Sequence, residues 1–440
     1  MSSDLSERDF KITDVQHDRG SLEFVLSGTR EYGLDKSIAN AIRRTLLNDI
    51  PTVAFECDEG ETSDLTVVKN DTSLHNEMMV QRVGLLPIYL NPDTYLKDYL
   101  FVCNVVHDKE SSFQFVSSKD FKIYPLKTEL QKQISDMRDE SIVPEDPREY
   151  EELLNRLHKN LTDNYDLTKP LNRAEMDEIL RPYEFRGDTH YCLLNELKNT
   201  NTGGTFQSLH FYGSPSVNTA QKNSRYQAVS QASYTFLEDE QLIKHTLEAK
   251  MDLEKVPAED REQFSRKFQL GESARYFHRD ISGEAYRYHF RVKSCHYYDS
   301  GDLVKKSLEI LMNNCDILKG NFLTLLQDKP QESSISVKRV DEYNLQYTLC
   351  GVGHTMGNLL QNHIVRRCIH SKSILSVCGY KKPHPLEDLI VLYVSVNQGN
   401  KIRKETELRK FQMITTFIMD QLEQIKQGLK GILDVSKKSF

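Results

Sequence analysis

Apolar and polar residues alternate at Leu22, Phe24 and Leu26, the period of a strand that buries one face. A helix is predicted next. Asp35 or Ser37 can cap it, and Ile38, Ala41, Ile42, Thr45 and Leu46 recur at steps of three and four. Pro51 ends it, because the residue before a proline avoids the helical region. The pattern returns near the other end of the chain. Leu345, Tyr347 and Leu349 alternate, Gly351 stands where Gly28 stands, and Met356, Leu359, Leu360, His363 and Ile364 line one helix face. Neither strand–helix unit alone buries both faces of its helix. The two are expected to pack on each other as a pseudo-two-fold pair.

The stretch between them is uneven. Residues 56–230 mix short strand-like segments with a charged region over 127–181, in which 150–157 and 173–180 read as short surface helices. Residues 239–268 are charged and helical in pattern. Pro257 is expected to start a second helix there, with Glu259, Asp260 and Glu262 suiting its positive end. Alternation over 288–292 predicts a strand, and 304–311 an amphipathic helix. Residues 327–334 read as a linker reaching at most about 26–29 Å. After a buried-looking strand over 389–394, Phe411, Ile414, Ile418, Leu422, Ile425, Leu429 and Ile432 mark a long helical seam. Such a seam must cover a sheet or another helix.

Composition narrows the function. A chain of 440 residues suggests two or three domains, and 38% hydrophobic with 28% charged residues fits a globular protein. The net charge is −8, whereas a chain that grips nucleic acid alone carries a basic excess. Contact with DNA is therefore expected only indirectly. No apolar run approaches the length of a membrane span, and the polar N-terminus argues against a secretory signal. The eight cysteines include no C-x-x-C pair and read as reduced intracellular thiols, so no metal is expected. No D-x-D-x-D run, G-x-x-x-x-G-K-[ST] loop or G-x-S-x-G elbow is present, and 201–204 is merely turn-like. An enzyme acting alone, or a cofactor, is not expected.

Longer motifs say more. Asn40-Ala41-Ile42-Arg43-Arg44-Thr45-Leu46-Leu47, ending at Pro51, resembles the first dimerisation helix of the alpha-type polymerase subunits. That family includes bacterial alpha, its archaeal D-type relative and the third-largest subunit of eukaryotic polymerase II. His75-Asn76-Glu77, then Gln81-Arg82-Val83-Gly84-Leu85-Leu86-Pro87, is similar to its second signature. Lys222-Asn223-Ser224-Arg225-Tyr226, then Val229, is similar to the segment closing its inserted domain, and 288–292 with the helix after Leu303 to the return. Gly353-His354-Thr355-Met356-Gly357-Asn358-Leu359-Leu360 and Gly379-Tyr380-Lys381-Lys382-Pro383-His384-Pro385-Leu386-Glu387 resemble the small partner, the archaeal L-type polypeptide and its eukaryotic counterpart. Cellular polymerases carry these modules on separate chains. A fusion is associated with large DNA viruses, which implies a viral origin. Several family members hold zinc or iron–sulfur on a cysteine cluster in the inserted domain; that cluster is missing here, so no metal is carried over.

The resemblance implies an α+β fold. An alpha-subunit-type dimerisation domain would occupy 1–55 and 275–327, an inserted mixed α/β domain with a charged helical insertion 56–274, and a linker 328–334. An L-like α+β module would occupy 335–440 and complete an intrachain pseudo-heterodimer. The implied function is a non-catalytic assembly platform of a DNA-directed RNA polymerase, docking the second-largest and largest subunits together with small polymerase subunits. No membrane contact and no homo-oligomer are expected. The place of action would be intracellular: host cytoplasm and virion for a virus, nucleus otherwise.

Docking falls to Asn40, Arg43, Arg44, Leu47, Glu77, Arg82, Gly84, Leu85 and Pro87. Arginine suits this because its planar fork pairs with carboxylates and carbonyls; the plainer readings are solvated arginines and a local Glu77–Arg82 ion pair. Intrachain pairing falls to Ile38, Ala41, Ile42, Thr45 and Leu46 on one side and Leu359, Leu360 and Ile364 on the other. Thr355 is expected to cap its helix, Gly357 to let the partner helix approach, and Asn358 to bond across the pair. Gly379, Tyr380, His384 and Pro385 would fix a turn, and His354 reads as structural rather than as a ligand. The competing function is a free-standing dimeric scaffold or transcription regulator.

Overall fold

The computed structural model describes residues 10–18, 20–30, 34–57, 63–108, 111–128, 130, 163–199, 206–327, 334–369, 373–397 and 406–440. The helix expected at 150–157, the turn at 201–204 and residues 328–333 of the linker lie outside these. In chain order the helices are α1 (Lys36–Asn48), α2 (Asn76–Gly84), α3 (Arg173–Ile179), α4 (Glu240–Leu253), α5 (Arg261–Gly271), α6 (Ser300–Leu326), α7 (His354–Cys368) and α8 (Glu407–Ser439). The chain divides into two units. The first is Met1–Ile50, Val229–Ser294 and Asp299–Phe440, and the second is Pro51–Ala228 with Cys295–Tyr298.

The first unit repeats one topology. Lys11–Asp18 and Ser21–Ser27 form a hairpin, α1 follows, and Val229–Phe236, Arg287–Ser294 and α6 complete the module. Ile335–Arg339 and Asn344–Cys350 form a second hairpin, followed by α7, Leu375–Lys381, Leu389–Val396 and α8. In both sheets the last strand lies between the hairpin and the third strand, and every pairing is antiparallel. The glycines read from the sequence mark equivalent points: the Gly28 amide donates to the Tyr286 carbonyl at 2.9 Å, and the Gly351 amide to that of Asp388 at 2.8 Å.

Equivalence extends along the helices. Counted from Ser300 and Glu407, the buried Ser307, Leu308, Leu311, Cys315, Leu318 and Phe322 of α6 stand where Ile414, Thr415, Ile418, Leu422, Ile425 and Leu429 of α8 stand. The two helices pack antiparallel, with Gly301 against Phe440 at one end and Asp316 beside Lys426 further along. The seam expected from the sequence therefore covers a helix. A fully buried Leu or Ile there stabilises by about 1.5–3 kcal/mol relative to exposure.

Two expected boundaries move. The first module resumes at Val229 rather than at 275, because Val229–Phe236 is laddered to Arg287–Ser294. The connection between those strands carries α4 and α5. The module's first segment ends at Ile50 rather than at 55, because Pro51–Ala54 pairs with Ser216–Thr219 of the second unit. Pro257 does not start α5. It opens a turn in which the Asp260 amide reaches the Pro257 carbonyl at 3.0 Å, and Asp260 is the N-cap.

The second unit is built from shorter pieces. Leu65–Asn70, Ser208–Gly213, Tyr99–Val106 and Phe121–Pro125 make a sheet in that order, and Leu193–Lys198 pairs with Phe113–Ser117. Met79 and Val83 of α2 and Ile179 of α3 join Phe101, Phe121 and Phe211 in its core. Tyr183–Phe185 and Asp188–His190 form a ribbon turned by Arg186 and Gly187, both at positive φ, 55° and 91°. A polar network is buried in the same unit. Lys97 Nζ lies 3.0 Å from Asp64 Oδ1, while Asp64 Oδ2 accepts from the Glu56 amide and from Ser216 Oγ.

Candidate functional site

The two short helices meet inside the first unit. Asp35 caps α1 by accepting from the Ser37 and Ile38 amides at 2.7 and 3.2 Å. Gly353 occupies the same place before α7, without a side-chain cap. Counted from these caps, buried Ile38, Ala39, Ala41, Ile42, Thr45 and Leu46 correspond to buried Met356, Gly357, Leu359, Leu360, His363 and Ile364. The helices touch each other, and α1 also packs on α6.

Polar contacts at the rim define how they meet. Arg44 Nε donates to Thr355 Oγ1 at 3.0 Å, so Thr355 receives the partner helix rather than capping its own. Arg43 is turned back on Asn40, donating through Nε and Nη2 at 3.1 and 2.9 Å. At the other end, Arg366 of α7 lies 3.8 Å from Asp35 through Nη1 and 2.5 Å from Asp280 through Nη2, and it donates to Ser282 Oγ at 2.9 Å. These contacts run from the start of one helix to the end of the other, so α1 and α7 are antiparallel. Burial pushes the Asp280 carboxyl upward. The Ser282 hydroxyl, the Glu284 and Ser282 amides and Arg366 outweigh that and hold it below the ordinary value.

Gly357 has a different neighbour from the one expected. A Cβ there would lie 2.7 Å from Ile390 Cδ1 and 2.9 Å from the Tyr380 ring, so the close approach is to the module's own sheet and not to the partner helix. His354 Nδ1 meets Tyr380 Oη at 3.2 Å, and His384 Nδ1 accepts from the Leu386 amide at 3.2 Å. Tyr380 is anchored through its amide to Gln361 Oε1 at 3.1 Å. Gly379 is half-buried, and Pro385 is exposed in the turn before Leu389–Val396. Asn358 is half-buried on α7.

The second set of expected docking residues lies in the second unit. Met79 and Val83 bury one face of α2, leaving Glu77, Met78, Gln81 and Arg82 outside. Leu85, just past the helix, is 69% exposed, whereas Leu86 is buried and Pro87 half-buried. Glu77 and Arg82 do not pair. They are five positions apart, a spacing that does not face on a helix. Arg82 Nη2 instead donates to the Leu193 carbonyl at 3.1 Å, and Glu77 lies 3.9 Å from His75. Gly84 is required for packing: a Cβ would lie 2.9 Å from Cys57 Sγ, 3.0 Å from Arg225 Nη1 and 3.3 Å from the Phe55 carbonyl. Arg225 Nη1 donates to that carbonyl at 3.0 Å, and Asn223 accepts from the Arg225 amide. This gives the Lys222–Tyr226 motif a local role.

Sequence reasoning missed Arg366, Asp280 and the second role of Asp35. An arginine at the end of an amphipathic helix carries no signal of its own, and its partners are far off in sequence. Among the described residues no group of three or more His, Cys, Asp or Glu is placed to hold a metal, and no helix is long and apolar enough to cross a membrane.

Comparison with known proteins fits this geometry. The profile of the RNA polymerase Rpb3/Rpb11 dimerisation domain matches residues 29–315, more than half of the chain. The human protein named DNA-directed RNA polymerases I and III subunit RPAC1 is 36% identical over 89 residues, 20% of this chain and 22% of that protein. DNA-directed RNA polymerase subunit Rpo3 of Methanosphaera stadtmanae is 38% identical over 64 residues, 14% of this chain and 21% of its own. The same subunit of Thermococcus kodakarensis is 33% identical over 92 residues, 21% and 30% respectively. The matched stretches thus span less than a third of these relatives.

Proposed function

This chain belongs to the RNA polymerase Rpb3/Rpb11 dimerisation domain family, and from that premise we propose that it is a non-catalytic assembly subunit of a multisubunit DNA-directed RNA polymerase. In this reading an alpha-like half and a small-partner-like module, separate chains in cellular polymerases, are fused and pair with each other. The repeated topology of the first unit supports the pairing, as does the antiparallel contact of α1 with α7 and of α6 with α8. The observation that carries it most is the Arg44–Thr355 bond, which joins one family motif to the other. Fusion replaces a bimolecular encounter by an intramolecular one at high effective concentration.

The pair would dock the second-largest subunit, then the largest, and accept small polymerase subunits; DNA would be reached only through the complex. Two patches suit the large subunits. One is Arg43 with Asn40 and Leu47 on the half-buried side of α1, and the other is Met78, Arg82 and Leu85 around α2. Each patch carries an arginine, a residue type enriched at interface hot spots. The proposed place of action is intracellular, the host cytoplasm and virion for a virus and the nucleus otherwise.

The test is affinity purification of the tagged chain from its native cells, with mass spectrometry of what co-purifies. Two very large polymerase subunits are expected in near-equal amounts. Arg43→Glu or Leu85→Asp should each lower their recovery about tenfold, the effect of losing about 1.4 kcal/mol. Recovery of the chain alone would reject the proposal.

A further inference from the structure

The pairing seam raises a question of specificity. Along α6 and α8 it is self-complementary. Asp316 and Glu423 occupy equivalent positions, as do Lys319 and Lys426, and the observed ion pairs are Asp316–Lys426 at 2.7 Å and Lys319–Glu423 at 2.6 Å. Two copies of α6, or two of α8, set antiparallel would satisfy the same charges. The six buried positions matched above are equivalent as well. Along this central stretch neither the ion pairs nor the matched buried positions distinguish pairing between unlike modules from pairing between like ones; the Gly301–Phe440 contact at the end of the seam does differ, since Leu408, the equivalent of Gly301, is exposed.

The Arg366 contact does distinguish them. Arg366 stands on α7 where Asn48 stands on α1, and Asp35 stands before α1 where Gly353 stands before α7. Lys382 precedes the strand starting at Leu389 by the same step as Asp280 precedes the strand starting at Arg287. The ion pairs therefore exist at one end of the helix pair and, among the described residues, have no counterpart at the other. In a pair of alpha-like halves, Asp35 and Asp280 would face the neutral Asn48. In a pair of small modules, Arg366 would face Gly353 and Lys382, with no carboxylate at either equivalent position. Both like pairings lose an arginine–carboxylate contact, and the second adds a repulsion. Specificity built from a favourable contact in one pairing and an unsatisfied charge in the competitor is the usual device at self-similar interfaces.

Resting on the reading of the first unit as an intrachain pair, we infer that Arg366, with Asp280 and Asp35, is the specificity determinant of that pair. It directs each module to its unlike partner within the chain and away from a second copy of itself.

The test co-expresses two differently tagged copies of the full chain and measures how much of one is retained with the other. Wild type is expected to show background retention and the light-scattering mass of one chain. Arg366→Glu should raise retention about fivefold, the equivalent of about 1 kcal/mol, and Asp280→Arg combined with Arg366→Glu should return it toward background. Arg366→Met serves as the deciding variant if Arg366→Glu is insoluble, and should raise retention by a smaller amount. Unchanged retention in the arginine variants, or no rescue in the double variant, overturns the inference. Strong retention of wild type by wild type would instead overturn the intrachain pairing on which it rests.

Discussion

The two modules of the first unit follow the same order of strands and helices, yet they treat equivalent positions differently. Ala39 of α1 and Gly357 of α7 are one such pair, both buried. A methyl group fits behind α1. Behind α7 the space is filled by Tyr380 and Ile390, which leave no room for one. The second difference is continuity. The second module runs on from strand to strand, whereas the first is interrupted after α1 by the whole of the second unit's main segment. The register of its sheet survives that interruption. What defines a module is thus the pairing of its strands and the covering of its helices, not an unbroken stretch of chain.

Replacing residues of the α6–α8 seam is expected to have the largest effects on stability. Leu311→Ala and Ile418→Ala are expected to destabilise by about 2–5 kcal/mol each, read by chemical denaturation. Similar values would sharpen the equivalence of α6 and α8, and a loss confined to one helix would break it. Gly357→Ala should lower stability by about 1–3 kcal/mol through overpacking. The reverse change at the equivalent position, Ala39→Gly, should lower it by about 0.5–1 kcal/mol through backbone entropy. Thermal melts of the two variants check the contrast.

Acid gives a smaller effect. The Asp280 carboxyl is held below its ordinary value of 3.8 in the folded chain. Its contribution is therefore fully present above that value and is lost as pH falls through the lower folded-state value. The difference in melting temperature between wild type and Asp280→Asn should accordingly shrink at strongly acidic pH and stay constant near neutrality. The smallest effects belong to the exposed rim. Lys319→Ala and Lys426→Ala are each expected to change stability by about 0–1 kcal/mol, and a larger loss in denaturant titration would show the rim pairs to be structural supports.

Much of the first unit was legible because its helices are amphipathic over several turns and its strands alternate cleanly. The faces of α1 and α7 and the seam on α8 follow from period alone, and the match of Gly28 with Gly351 from the equal distance of each past the first leucine of its strand. The return at Val229 was harder to place in the domain plan, since the excursion through α4 and α5 separates two strands that pair directly. The neighbour of Gly357 was not legible because periodicity says that a position is crowded, not what crowds it. Arg366 was invisible for the same reason. Its partners lie on a turn and at a helix cap whose approach depends on how whole modules meet.

The central claim is that two modules of one chain hold each other. The most direct measurement introduces a protease site within 328–333, cuts the purified chain there, and follows the products by size-exclusion chromatography with light scattering. The two fragments are expected to stay together in equal amounts as a particle of about 51.0 kDa, the mass of the intact chain. Separation into two folded species that elute apart, or pairing of each fragment with its own kind, would contradict it.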